Sequence, residues 1–220
     1  MFSDKLTFTG GGDILVPGTP FGGGYYAGRI SIDGEIYALV VAPASVGGQT
    51  TSGLRWKTSN TGTSGTFSLN DGWVNTQSMV AAGISLHPAA QFCKNLTIGG
   101  YNDWYLPSVN ELEVAYRNLK PSTIGNYVSE GPNGSTGYNP DSIPVGTAYT
   151  TSNPSRTNVS AFIEGGAEAF YTSNHYWTST QLSSNPGPFA WAQSFAHGQQ
   201  DFLSKNTPYF VRGFRRVLIS

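Results

Sequence analysis

The sequence predicts an α+β fold, with a mostly antiparallel sheet, two helical elements and long loops. Three observations carry that prediction. Asp33-Gly34 stands between two strand-type runs, the signal of a two-residue hairpin. A capped helical stretch begins at Ser108, directly after Trp104-Tyr105-Leu106-Pro107. From Tyr176 onward, short runs of large apolar residues alternate with turn residues, which reads as a closing set of strands.

Met1 to Gly24 contains Gly10-Gly11-Gly12, Pro17-Gly18 and Gly22-Gly23-Gly24. It reads as a glycine-rich N-terminal attachment arm that docks onto a partner or a neighbouring copy, with a flexible arm as the alternative, and with Leu6-Thr7-Phe8 and Ile14-Leu15-Val16 as short strands between breaks. Residues 25–220 then read as one domain. Ile30 to Ile32 and Glu35 to Val41 flank the Asp33-Gly34 turn. Leu54-Arg55-Trp56-Lys57 reads as another short strand, and Thr58 to Gly72 as a polar loop. Asn75 to Leu96 is the first helical region, capped by Asn75 or Thr76, weakened at Gly83 and restarted at Pro88.

Gly99 to Glu113 is the most informative stretch. Trp104, Tyr105 and Leu106 have strand-type side chains, and Pro107 disfavours helix at Leu106. Ser108 and Glu111 have capping-box spacing. Val109, Leu112, Tyr116 and Leu119 then fall on one helical face, and Lys120-Pro121 ends the helix. Tyr127 to Tyr171 is rich in turn signals, with Val145 to Thr151 and Ala161-Phe162-Ile163 as candidate strands. A loop region of that length in a compact domain points to function. In the final β region, Phe189, Trp191, Gln193 and Phe195 share a face by period two, Ala196 to Gln200 turn the chain, and Asp201 to Leu203 and Tyr209 to Val217 finish the sheet, the latter as the last strand.

Composition narrows the function classes. Charged residues make up 11% of the 220, low against the usual quarter, whereas there are 28 glycines and 13% aromatics. Solubility rests on hydroxyl and amide side chains, as in extracellular and virion β-rich proteins. The net charge of −1 gives no attraction to nucleic acid or an anionic membrane. No window approaches the ~18 apolar residues of a membrane span. The N-terminus shows no signal-peptide pattern. The single cysteine, Cys93, allows no internal disulfide and reads as a buried hydrophobe.

Chemistry-bearing residues are sparse. His87, His175 and His197 are the only histidines and have no ligand spacing, so no metal is predicted. His87 reads as a capping or surface residue. Nothing marks an activated nucleophile or a paired-carboxylate centre, so the sequence predicts no enzyme and no cofactor. The late loops instead mix Tyr, Trp, Ser, Asn and Gly, the composition of a paratope. The candidate ligand-binding residues are Tyr138, His175, Phe189, Trp191, His197, Gln199, Gln200, Asp201 and Phe202.

The string Gly-Gly-Tyr-Asn-Asp-Trp-Tyr-Leu-Pro-Ser from Gly99 to Ser108, with Glu111-Leu112 after it, resembles the signature of the Lcl-type C-terminal domain family. Asn75-Thr76, Tyr176 to Thr180 and Val211 to Val217 match further family segments in order. Such domains occur in a collagen-like bacterial adhesin and at phage tail-fibre ends. The resemblance implies a C-type lectin-like fold, binding without catalysis, and a late segment that forms the receptor-facing tip. It also implies a homotrimer within a virion, or an extracellular place if the chain is bacterial. The partners implied are a host surface glycan or protein, with other virion proteins met through the N-terminal arm. A structural virion connector and a bacterial surface adhesin domain are the alternatives. The same string is similar to one in formylglycine-generating enzymes and iron-dependent sulfoxide synthases, but their paired cysteines and three-histidine site have no counterpart here.

Overall fold

The computed structural model describes residues 15–219. Leu6-Thr7-Phe8 and Ile14 of the predicted arm lie outside the described residues. From Leu15 to Gly24 the chain is joined to the domain. Strand β1 (Pro20–Phe21) pairs with β2 (Gly24–Ile32), Gly18 N–H donates to Tyr26 O at 2.7 Å, and Tyr26 N–H to Thr19 O at 2.9 Å. The Asp33-Gly34 hairpin joins β2 to β3 (Glu35–Val41), with Ile32 opposite Glu35. Asp33 and Gly34 have φ of 53° and 85°, both positive as a type I′ turn requires.

Two sheets form, mostly antiparallel. The first runs β1-β2-β3-β10, where β10 is Phe214–Leu218, and the two-residue β5 (Ser142–Ile143) also pairs with β2. The second runs β4-β9-β6-β7-β8, with β4 Gly48–Leu54, β6 His175–Gln181, β7 Phe189–Ser194, β8 Gln200–Ser204 and β9 Tyr209–Arg212. Among the described residues, only β6 and β9 pair in parallel. The predicted last strand is therefore two strands, because the chain passes from one sheet to the other at Gly213. The predicted strand Leu54 to Lys57 lies earlier, at β4, and Trp56 instead buries its indole and donates from Nε1 to Thr178 O at 2.8 Å.

A four-residue helix α1 (Ala44–Gly47) follows β3. The interrupted helical region is α2 (Gly72–Ala81), a 3-10 turn at Ile84–Leu86 and α3 (Pro88–Lys94). Its cap is Asp71, whose Oδ1 accepts from Val74 N–H at 2.9 Å and pairs with Arg216 at 2.8 Å. Asn75 is not the cap. It is buried one turn in, donating to Ser68 O at 2.8 Å. Helix α4 (Val109–Leu119) carries the predicted capping box, with both Ser108 and Glu111 bonds made. Ala161 to Ile163 form a 3-10 turn at Ser160–Phe162, not a strand, because Phe162 turns its ring into the core.

Helix α4 packs against β2 of the first sheet and β6 and β7 of the second, so it lies at the centre of the main apolar cluster with Ile30, Leu39, Tyr116, Phe170, Tyr176 and Phe195. A second cluster gathers Trp56, Met79, Cys93, Trp177 and Ala192, and a third holds Tyr26, Val40 and Val217. Trp104, Tyr105 and Leu106 each enter a different one of these three clusters. Their backbone forms a single bridge, Tyr105 to Phe214, with N···O distances of 2.8 and 2.9 Å, in place of a full strand. His87, read from sequence as a cap or surface residue, is fully buried between Gly83 O and Thr63 Oγ1.

Candidate binding face

The candidate site is built on the β7–β8 ribbon at one edge of the second sheet. Trp191 lies directly opposite Phe202, and Phe189 is two residues along β7, so the three rings share a face. Phe189 meets Phe202 at 5.6 Å and 69°, and Trp191 meets Phe202 at 5.8 Å and 89°, both edge-on. Phe202 is 46% exposed, and Phe189 and Trp191 are half-buried. The reverse face of β7 presents Ala190 and Ala192, fully buried beside Trp177. The large side chains thus look outward and the small ones inward, because Trp56 and Trp177 already fill the space beneath the ribbon.

Further along the same face, Gln193 and Gln200 are opposite one another and are closed off by the long loop. Gln200 is a correction to the predicted set. It is 4% exposed and its Oε1 accepts from Gly137 N–H at 3.1 Å, so it anchors the loop and offers nothing to solvent. Tyr138, the next residue of that loop, is 40% exposed. The face therefore comprises Phe189, Trp191 and Phe202, with Tyr138 on the loop that Gln200 holds.

The other predicted residues fall elsewhere. Asp201 is opposite Ala192 and points to the reverse face by strand alternation. Its Oδ1 accepts from Phe202 N–H at 2.8 Å, which occupies an amide on the outer edge of β8. His175 begins β6, and its ring meets Tyr209 at 6.1 Å. Burial holds His175 below its ordinary pKa, Asp201 opposes that, and His197 adds to it. His197 and Gln199 lie in the β7–β8 turn, half-buried. Tyr127 sits beside His197, with ring centroids 6.1 Å apart and its N–H bonded to His197 O at 2.8 Å. His175 Nε2 and His197 Nδ1 are buried without a hydrogen-bond partner among the described residues. The nine predicted residues thus divide into the aromatic face of Phe189, Trp191 and Phe202, the loop residue Tyr138 with its buried anchor Gln200, the turn residues His197 and Gln199, and His175 with Asp201 on the reverse face.

Sequence reading missed what fixes the loop above this face. Glu113, fully buried on α4, accepts from Arg117 Nε at 3.0 Å, Tyr149 OH at 2.9 Å and Asn139 Nδ2 at 2.7 Å. Burial raises the Glu113 pKa, and Arg117 is the first group that opposes this. Arg117 also donates to Gly137 O and, at 2.8 Å, to Thr147 O. Asn110 adds bonds to Asp141 and Asn133. The available signal was the spacing of Asn110, Glu113 and Arg117, which puts them along one face of the helix.

Among the described residues, no group of three or more His, Cys, Asp or Glu side chains is placed to hold a metal ion. Burial pushes the Cys93 thiol well above its ordinary range, which leaves it unreactive. Among the described residues, no helix is long and apolar enough to cross a membrane. The model of a protein family described as the Lcl C-terminal domain matches residues 48–215. No curated protein matches the chain.

Proposed function

Because this chain belongs to the Lcl C-terminal domain family, matched over residues 48–215, we propose that it is a recognition module that binds a host surface saccharide or protein without catalysis. In this proposal it stands at the tip of a phage tail fibre or related virion appendage, as a homotrimer with the C-type lectin-like arrangement that the family resemblance implies. The observation that carries the reading is the outward aromatic face of Phe189, Trp191 and Phe202, set over inward alanines. Exposed rings on a rigid ribbon give amphipathic contact area at little entropic cost. The network of Glu113 and Arg117 supports the same reading, because it pre-organises the loop that carries Tyr138.

The test is binding of the purified chain to host cells and to their extracted surface polysaccharide. Trp191→Ala and Phe202→Ala should each weaken binding about thirtyfold, the ~2 kcal/mol of a truncated aromatic anchor. Equal affinity in variants with unchanged circular dichroism and Tm would remove the aromatic face from the site. Binding only to other virion proteins would make the chain a connector.

A further inference from the structure

Two lysines are buried side by side behind the aromatic face. Lys57 Nζ donates to Thr61 O at 3.3 Å, Gly62 O at 2.7 Å and Thr63 Oγ1 at 2.9 Å. Lys205 Nζ donates to the same Thr61 O at 3.4 Å, to Gln181 Oε1 at 2.7 Å and to Pro186 O at 2.6 Å. Lys205 is fully buried and Lys57 6% exposed. Neither makes an ion pair with a carboxylate among the described residues. The remaining titratable neighbour is His87, bonded through Nε2 to Thr63 Oγ1 at 2.8 Å. The Trp56 ring, 4.2 Å from Lys205 Nζ, offsets burial of a charge only in part.

Two buried ammonium groups that share one carbonyl and have no counter-ion repel one another and lose hydration together. The enclosure suits one charge better than two. Three of the acceptors, Thr61 O, Gly62 O and Pro186 O, belong to two surface loops, residues 58–62 and 183–188, and the second leads directly into Phe189, whereas Thr63 and Gln181 are buried.

We propose that Lys57 and Lys205 form an acid-released clasp: with one amine neutral the two loops stay tied, and when both are charged Lys205 leaves for solvent and frees the loop next to Phe189. The direction follows from linkage. An amine that binds its proton less well in the closed form than in water makes protonation favour the open form. Burial lowers both lysines, and Lys205, with the Lys57 charge adding to burial, is pushed down to about 7. The closed form therefore loses its advantage as pH falls from the ordinary lysine range, and the loss is complete near 7. The inference stands apart from the proposed function, since it concerns loop opening whatever the ligand.

The experiment is hydrogen exchange by mass spectrometry on the full chain, corrected for intrinsic rates, with NMR titration of the Lys205 ¹³Cε. Protection in residues 58–62 and 183–188 should fall about tenfold per pH unit from the ordinary ~10.4 down to the Lys205 midpoint and level off below it, the slope of one linked proton. Lys57→Met should raise the Lys205 midpoint and restore protection in acid. Lys205→Met should abolish the slope. A wild-type midpoint near the ordinary ~10.4 overturns the proposal. So does pH-independent protection, or a slope that persists in Lys205→Met, which would assign it to Lys57. If Lys205→Met does not fold, the wild-type midpoint and the Lys57→Met shift decide the matter.

Discussion

Replacing Glu113 by Gln tests how the long loop is held. The carboxylate accepts from Arg117, Tyr149 and Asn139, with no exposure of its side chain. The amide keeps one acceptor oxygen but turns an NH2 group toward at least one of these three donors. It also leaves the Arg117 guanidinium, 19% exposed, without its anion. A hydrogen bond to a charged group contributes about 1.5–3 kcal/mol, and breaking one side of a buried pair costs about 3–5 kcal/mol. Burial of the carboxylate offsets part of that, since desolvation is the largest influence on Glu113. Arg117 also retains its bonds to Gly137 and Thr147. The expected loss is therefore about 3 kcal/mol, or roughly 6–12 °C in Tm for a chain of this size. Urea denaturation followed by tryptophan fluorescence at neutral pH measures it. A double-mutant cycle with Arg117→Met should return about 1–3 kcal/mol of coupling. A loss below about 1 kcal/mol, with the double mutant additive, would refute the view that this network fixes the loop.

Other outcomes follow from single features. Gly34 has φ of 85° and no atom that a Cβ would meet within 4 Å, so Gly34→Ala isolates backbone strain and should cost about 1 kcal/mol in urea. A neutral result would contradict the type I′ turn. Ser108→Ala removes one half of the capping box and should cost about 0.5–2 kcal/mol by the same measurement. Burial pushes Glu111 up to about 7 against the opposing influence of Arg216. The folded state therefore binds its proton more tightly than the unfolded chain does. This contribution is whole below the ordinary carboxylate range and is lost as pH rises to about 7. Calorimetry should show Glu111→Gln with a flatter decline of Tm across that window, and an unchanged slope would put the titration elsewhere.

Local signals survived into the structure where one short segment determined its own geometry. Asp33-Gly34 and Ser108 with Glu111 did so because turn and cap chemistry require no distant partner. Strand β4 was not legible, since its sequence Gly-Gln-Thr-Thr-Ser-Gly-Leu lacks apolar alternation and depends on β9 for its place. Asn75 has the chemistry of a cap, but Asp71 took that role because its carboxylate also meets Arg216 from the last strand. Composition singled out the aromatic residues of the candidate face. Their separation from Gln200 and Asp201 was not legible, because neighbours in a strand face opposite ways and the loop covering Gln200 is distant in sequence.

Trp104, Tyr105 and Leu106 place three consecutive side chains in three separate apolar clusters. Sliding this segment by one position would vacate all three sites together, so neighbouring registers are excluded by a large margin. The arrangement also denies the molecule a half-melted state: whichever cluster loosens first pulls at the backbone that anchors the other two. Calorimetry should accordingly give one cooperative endotherm for the domain.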